Sequence, residues 1–261
     1  MPLLLLLLSA WSNAAAAAVP PVPEAIVDGQ LLKGEWVGAQ KRVAAFRGVP
    51  FAAPPVGDLR WRLPRPLEST AGVRQAQQFA PACMQGRSMI DWYARVAGAF
   101  GHGPEVVEGP VGTSEDCLYL NVWTPAEDSG QGLPVLVFVH GGSNAGGWSY
   151  EPNLRGANLA AGGAVVVTVA YRLGVFGFFA HPALEEEAGV PAANFALHDL
   201  RIAFRWVREH IEAFGGDPER VTAFGESAGA LNLVDLLTAS RGGEAAPFQR
   251  LVLQSLGGSL S

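Results

Sequence analysis

The sequence predicts an α/β fold with a central, mostly parallel β-sheet, helices on both of its faces and a small antiparallel meander at its start. Short runs of β-branched and aliphatic residues recur in the second half of the chain, and several are continuous, which is typical of strands covered on both faces. Helix-like segments separate the later runs, and this alternation predicts parallel strands. The 261 residues, 49% hydrophobic and 16% charged, suffice for one domain with a sizeable core.

Residues 1–18 resemble a secretory signal peptide. An apolar run from Leu3 to Leu8 precedes small residues that offer A-x-A cleavage sites, although no Lys or Arg comes before the run. The run is too short to span a bilayer. We therefore expect an exported chain, secreted or periplasmic, whose folded part is residues 19–261 and has no membrane span. An Ala-rich linker behind a mis-assigned start codon is the alternative.

The antiparallel meander is predicted over residues 24–50, because short apolar stretches are separated there by DG and GAQK. Residues 48–61 form a proline-rich loop. The two cysteines, Cys83 and Cys117, favour one disulfide in an exported chain, with two buried free thiols as the alternative. Between them, apolar residues at three- and four-residue spacing predict a helix over 88–100, in a loop that could roof a pocket.

The remaining strands and helices alternate along the chain. Apolar runs predict strands in CLYLNVWTP, LPVLVFVHGG, AVVVTVAYR, RVTAFGES and RLVLQS. Before the fourth run, an apolar stripe from Leu200 to Phe214 predicts a helix that stops at Gly215 and Gly216. The segment AGALNLVDLLTAS after Ser227 predicts a second helix. The order strand, helix, strand, helix, strand is the basis of the predicted sheet.

The segment Gly225–Gly229 fits the pattern G-x-S-x-G between a predicted strand and a predicted helix. A turn this tight would hold Ser227 in strained backbone angles and present its hydroxyl at the carboxyl end of the sheet. The N-terminus of the following helix would favour a developing oxyanion. Ser227 is therefore a candidate nucleophile, and an ordinary Gly-Ser-Gly turn is the alternative.

A glycine-rich segment, FVHGGSNAGGW over residues 138–148, follows a strongly apolar strand and could direct backbone amides to the same place. The alternatives are a flexible loop and a phosphate-binding loop, the latter disfavoured because no G-K-[ST] follows. A net charge of −6, with 18 Lys and Arg and no basic run, argues against a nucleic-acid partner. The sequence has no metal-ligand cluster, so we expect no metal and no cofactor.

These segments together resemble a known family. The stretches FRGVPFAAPPVGDLRW, SEDCLYLNVWTP, VHGG, AYRLGVFGF, NFALHDLRIAFRWVREHIEAFGGDPERVTAFGESAGA and LQS look like successive landmarks of the type-B carboxylesterases, which include the cholinesterases. The resemblance covers about residues 25–255. It implies the α/β-hydrolase fold and a small-molecule carboxylic ester as the substrate.

The resemblance also implies roles for particular residues. Ser227 would form the acyl-enzyme, and the backbone amides of Gly142, Ser143 and Ala228 would form the oxyanion hole. Glu226 would lie near the catalytic histidine. Ser143 departs from the family pattern, since many members have a third glycine there.

Structural links are implied as well. The resemblance pairs one set of cysteines and two sets of charges: Cys83 with Cys117, Arg60 with Glu115, and Arg172 with Asp199. Solvated surface charges are the alternative for the four charged residues. Three aromatic residues between the cysteines are candidates for lining the pocket entrance: Trp92, Tyr93 and Phe100.

A catalytic triad needs an acid and a histidine besides Ser227, and no histidine follows Ser227 in this sequence. An α/β-hydrolase orders its triad serine, acid, histidine. The 34 residues after Ser227 contain no histidine, and the five histidines precede it: His102, His140, His181, His198 and His210. Glu244, the only carboxylate after the second helix, lies in a polar loop. We expect His140 to pack at the glycine-rich segment, the acid and histidine to lie beyond residue 261, and the C-terminal part of the fold to be absent.

The sequence thus predicts a carboxylic ester hydrolase that acts through a serine acyl-enzyme, with its triad incomplete in this chain. One alternative is a non-catalytic binding or adhesion module on the same fold, against which the presence of Ser227 argues. The other is the remnant of a disrupted esterase gene. The strand RLVLQS is predicted to be an aggregation-prone sheet edge.

Overall fold

A computed structural model describes residues 21–38, 42–189, 192–239 and 246–256. The predicted signal peptide, residues 1–18, and Glu244 lie outside these ranges. No helix in the described part of the chain has both the length and the apolar composition needed to cross a bilayer.

The described ranges contain twelve strands and six α-helices. The strands are β1 Glu24–Val27, β2 Gln30–Lys33, β3 Glu35–Val37, β4 Val43–Pro50, β5 Gly72–Gln75, β6 Ala82–Cys83, β7 Thr113–Ser114, β8 Tyr119–Thr124, β9 Leu133–Val139, β10 Val165–Val169, β11 Gly216–Glu226 and β12 Arg250–Gln254. The helices are α1 Ser88–Ala99, α2 Ala157–Ala160, α3 Gly174–Phe178, α4 Pro182–Ala188, α5 Phe195–His210 and α6 Ala228–Ala239. All five strands and all three helices predicted from hydrophobic patterning are present.

A seven-stranded sheet forms the centre of the fold, in the order β12-β11-β9-β10-β8-β4-β3. The four strands β10, β9, β11 and β12 are mutually parallel, whereas β8, β4 and β3 join by antiparallel pairs. The parallel strands are continuous apolar runs because side chains on both faces are covered. Val135, Val137 and Val139 of β9 are fully buried, as is every residue of β10.

Helices cover both faces of the sheet. Successive side chains of a strand point to opposite faces, so Val166 and Val167 of β10 lie on different sides. Val167 packs in the main core with Leu200 and Phe204 of α5, whereas Val166 packs with Ala160 of α2 in a smaller cluster. The predicted α/β architecture is therefore confirmed.

The predicted meander over residues 24–50 is divided between two sheets. A tight turn with positive φ at Asp28 and Gly29 joins β1 to β2, and this hairpin adds β5 in a separate three-stranded sheet. The chain then passes Gly34 into β3 and β4, which belong to the central sheet. A Cβ on Gly34 would lie 2.5 Å from the carbonyl oxygen of Ala45, so this close crossing requires glycine.

Candidate active site

Ser227 lies in a sharp turn between the end of β11 and the start of α6. Its φ of +53° is in the left-handed region, which costs a non-glycine residue about 1–2 kcal/mol. The flanking glycines allow the crowding that this turn requires. A Cβ on Gly225 would lie 2.7 Å from the carbonyl carbon of Gly229, and one on Gly229 would lie 2.2 Å from the carbonyl oxygen of Val139. The pattern G-x-S-x-G therefore follows from backbone packing at the end of β9.

The glycine-rich loop, residues 140–147, follows β9 and lies beside Ser227. Positive φ angles continue through Gly142, Ser143 and Asn144, and the amides of Ala145 and Gly146 donate to the carbonyl oxygen of Gly142 at 3.0 and 3.1 Å. A Cβ placed on Gly141 would lie 3.1 Å from the Cβ of Ser227 and 2.7 Å from Oε2 of Glu226. Two segments more than eighty residues apart in sequence are thus in direct contact. Ala228, the third predicted amide donor, is the first residue of α6.

A cavity of about 440 Å³ opens in front of Ser227 and is called the Ser227 cavity below. Its lining residues are Met89, Trp92, Tyr93, Phe138, Gly141, Gly142, Ser143, Glu151, Asn153, Leu154, Glu226 and Ser227. Helix α1 thus covers the cavity, as predicted for the loop between the cysteines. Of the three aromatic residues proposed for the entrance, Trp92 and Tyr93 line the cavity, but Phe100 does not. Phe100 follows the last turn of α1 and is 79% exposed, because the helix presents it to solvent.

Two carboxylates, Glu151 and Glu226, line the Ser227 cavity. No described residue of its lining carries a positive charge. Glu226, predicted to lie near the catalytic histidine, borders Gly141. Glu151 is 3% exposed and accepts hydrogen bonds from the Tyr93 hydroxyl and, at 3.1 Å, from the amide of Trp148. Burial and the neighbouring Glu226 charge raise the pKa of Glu151. Glu151 was not predicted from the sequence, because a single acidic residue in a loop forms no recognisable motif.

None of the five histidines, all within the described ranges, lines the Ser227 cavity. His140 is 1% exposed, stacks on Tyr171 with ring centroids 4.5 Å apart and donates from Nδ1 to the carbonyl oxygen of Gly141 at 2.9 Å. Burial lowers its pKa to about 4. His140 therefore packs within the glycine-rich loop as a neutral ring, in the position that the sequence predicts. His181 accepts from the amide of Ala183 at the start of α4.

The two pairs of charges and the two cysteines are in contact. Cys83 and Cys117 form a disulfide with their Cα atoms 4.9 Å apart, which excludes the alternative of free thiols. Arg60 and Glu115 form two hydrogen bonds of 2.5 Å at the surface. Arg172 and Asp199 are buried, with Nη2 to Oδ1 at 2.7 Å and Nε to Oδ2 at 2.8 Å.

The comparison with known proteins identifies the family. The profile of the carboxylesterase family matches residues 21–260. The chain belongs to the carboxylesterase family. This family member is 44% identical over 254 residues to fumonisin B1 esterase of Sphingopyxis macrogoltabida, covering 95% of the chain and 44% of that relative. It is 41% identical over 234 residues to liver carboxylesterase 1 of Oryctolagus cuniculus, covering 88% of the chain and 38% of that protein.

Solved structures agree with this assignment. The carboxylesterase chain superposes on a thermophilic PNB esterase with a TM-score of 0.72 and 36% identity, covering 87% of the chain and 43% of that structure. A carboxylesterase of Geobacillus stearothermophilus gives a TM-score of 0.72 and 38% identity, covering 91% and 44%. The fold is that of the α/β-hydrolases, as the resemblance implied. The chain spans less than half the length of these relatives.

Proposed function

We propose that this chain carries the nucleophile and the oxyanion hole of a serine carboxylesterase. The observation that supports the proposal is the contact between the strained Ser227 turn and the glycine-rich loop, in front of a cavity large enough for an acyl group. A nucleophile and a set of backbone donors on one side of a cavity are what acyl transfer requires.

In the proposed mechanism, Oγ of Ser227 attacks the carbonyl carbon of a small carboxylic ester. The backbone amides of Gly142, Ser143 and Ala228 donate hydrogen bonds to the oxyanion that develops, and one such donor is worth roughly 2.7–4 kcal/mol to the transition state. A histidine takes the proton of Ser227 and passes it to the leaving alcohol. Water then attacks the acyl-enzyme, and the carboxylic acid and free Ser227 are released.

The proposal places the histidine and its orienting acid in sequence beyond residue 261. In an α/β-hydrolase both follow the serine, and no histidine follows Ser227 here. Without them, the oxyanion hole and substrate binding alone would give a rate roughly 10³–10⁴ above the uncatalysed reaction, as in the serine-protease template. We further propose that residues 1–18 direct export. The similarity to a fumonisin B1 esterase and to a liver carboxylesterase supports an ester substrate.

The test is covalent labelling by an organophosphonate, together with turnover of short-chain aryl esters, in the chain expressed with its natural downstream sequence. Ser227→Ala should abolish labelling and lower kcat at least about 10⁴-fold, because the acyl-enzyme cannot form. Ser143→Gly is the matched control: it removes the other serine hydroxyl in the cavity lining and keeps the backbone amide, so labelling should continue.

Labelling that persists in Ser227→Ala would remove Ser227 from the mechanism. A folded wild-type protein that neither labels nor hydrolyses any aryl ester would instead favour the binding module.

A further inference from the structure

The loop closed by the disulfide, residues 84–116, is hydrogen bonded to the end of the glycine-rich loop by one side chain. Nε2 of Gln85 donates to the carbonyl oxygen of Gly147 at 2.7 Å, and the amide of Gly147 donates to Oε1 of Gln85 at 2.8 Å. The two groups of the side-chain amide thus satisfy both backbone groups of a single residue. A pair of bonds of this kind fixes orientation as well as distance.

Gly147 is in turn packed against the start of the glycine-rich loop. Its φ is +110°, and a Cβ at this position would lie 2.6 Å from Nδ1 of His140 and 2.7 Å from the carbonyl oxygen of Gly141. A Cβ on Gly142 would lie 2.1 Å from the carbonyl oxygen of Gly146. The two ends of the loop are therefore in contact, with Gly147 packed against Gly141 and Gly146 packed against Gly142. Gly141 borders Ser227, and Gly142 lines the Ser227 cavity.

Gln85 is itself held in place by the disulfide. It follows Cys83 by two residues, and its Nε2 also donates to the carbonyl oxygen of Cys83 at 3.1 Å. Cys83 is buried, pairs with Ser114 between β6 and β7, and is bonded to Cys117 just before β8 of the central sheet. The position of Gln85 is thus fixed relative to the central sheet.

We propose that Gln85 is a positioning residue for the oxyanion hole, which holds Gly147 so that the amides of Gly142 and Ser143 remain directed at the reacting carbonyl oxygen. This inference rests on the proposed function. Because oxyanion contacts strengthen only in the transition state, the loss of Gln85 should lower kcat and leave KM nearly unchanged.

Gln85→Met removes both hydrogen bonds while keeping the length of the side chain. Gln77→Met is the matched control, since Nε2 of Gln77 donates to the carbonyl oxygen of Gly34 at 3.0 Å and Gln77 is absent from the lining of the Ser227 cavity.

Two measurements test the proposal. In the chain itself, amide hydrogen exchange at residues 141–147 should be about tenfold faster in Gln85→Met and unchanged in Gln77→Met. In the protein with its natural downstream sequence, kcat for an aryl ester should fall about 10- to 100-fold with KM within about twofold, and Gln77→Met should match the wild type.

Unchanged exchange in Gln85→Met, or a wild-type kcat, would overturn the role of Gln85 while a loss of activity in Ser227→Ala still supported the esterase. Activity that is insensitive to Ser227→Ala would overturn the proposed function, and exchange would then still report whether Gln85 holds the loop. A rise in KM equal to the fall in kcat would also overturn the proposal, because it would indicate a general distortion of the cavity.

Discussion

Ser227 and His140 illustrate how single side chains depend on the backbone around the cavity. Ser227 occupies a left-handed conformation that only the surrounding packing can maintain, and its amide donates to the carbonyl oxygen of Gln254 at 3.0 Å. His140 is the first residue of the glycine-rich loop and supports it as a buried, uncharged ring. The stability of the site therefore depends on backbone strain at Ser227 and on the protonation state of His140.

The charge state of His140 predicts a loss of stability in acid. Burial lowers its pKa from 6.5 to about 4, so the unfolded chain takes up a proton at this residue before the folded one does. The stability due to His140 is fully present above about pH 6.5, decreases as the pH falls, and is lost below about pH 4. Between pH 7.5 and 4.5, the wild type should lose about 2–3 kcal/mol more free energy of unfolding than His140→Gln.

Urea denaturation at the two pH values measures this difference. Equal losses in the wild type and in His140→Gln would mean that the imidazole is protonated without penalty in the folded protein.

The sequence predicted some of these residues and could not predict others. Ser227 was predictable because the turn needs a short, local pattern of glycines, and the disulfide because only two cysteines are present. Gln85 and Glu151 were not predictable. Their partners, Gly147 and Tyr93, are 62 and 58 residues away, and no periodicity or motif relates positions so far apart.

Two ion pairs differ in the elements they join and in their burial. Arg172, just after β10, binds Asp199 of α5 through two side-chain hydrogen bonds, and its Nη1 donates to the carbonyl oxygen of Arg62 at 2.9 Å. The side chains of Arg172 and Asp199 are 4% and 0% exposed. Arg60 and Glu115 join two surface loops and are 41% and 21% exposed. The pattern of charges in the sequence did not distinguish the two environments.

Asp199→Ala should lower the free energy of unfolding by about 3–5 kcal/mol, because it leaves the Arg172 guanidinium buried without its counter-ion. Glu115→Ala is the control and should have a much smaller effect, since water solvates Arg60. Chemical denaturation of both variants measures the contrast. Equal losses would show that water reaches Arg172 in the folded protein.

The secondary-structure elements were predictable where their patterns were long. Strands β9 and β10 were predictable because burial on both faces requires a continuous apolar run. Helix α5 was predictable because burial of one face requires an apolar stripe. The antiparallel pairing predicted over residues 24–50 is present, but the strands are divided between two sheets because the chain passes from one sheet to the other at Gly34. Such a crossing leaves no periodic signal.

In the described part of the molecule the central sheet has β3 at one edge and β12 at the other. Within the described residues β12 pairs with β11 alone, and Val252 and Leu253 are 46% and 36% exposed. An apolar edge strand with free backbone groups can pair with a second chain. We therefore expect this chain to self-associate through β12 as its concentration rises. The aggregation-prone edge expected from the sequence RLVLQS thus stays a prediction.

Val252→Lys should reduce self-association, because a charge on an edge strand opposes pairing with another strand. Leu159→Lys is the matched control, since Leu159 is 53% exposed but lies on helix α2. Light scattering over a range of protein concentrations measures the effect. If both variants reduce scattering equally, association depends on exposed apolar surface in general and not on the strand edge.

The hydrogen bond from the Ser227 amide to Gln254 has a consequence for dividing this protein into two complementing fragments, as in split reporters. The carbonyl group that fixes the Ser227 turn comes from a strand 27 positions later, and β12 reaches it only by pairing in register with β11, Gln254 opposite Glu226. A cut between α6 and β12 would leave the turn in one fragment and its anchor in the other. A cut that keeps the Ser227 turn and its anchor within a single fragment therefore lies either before β11 or after residue 254.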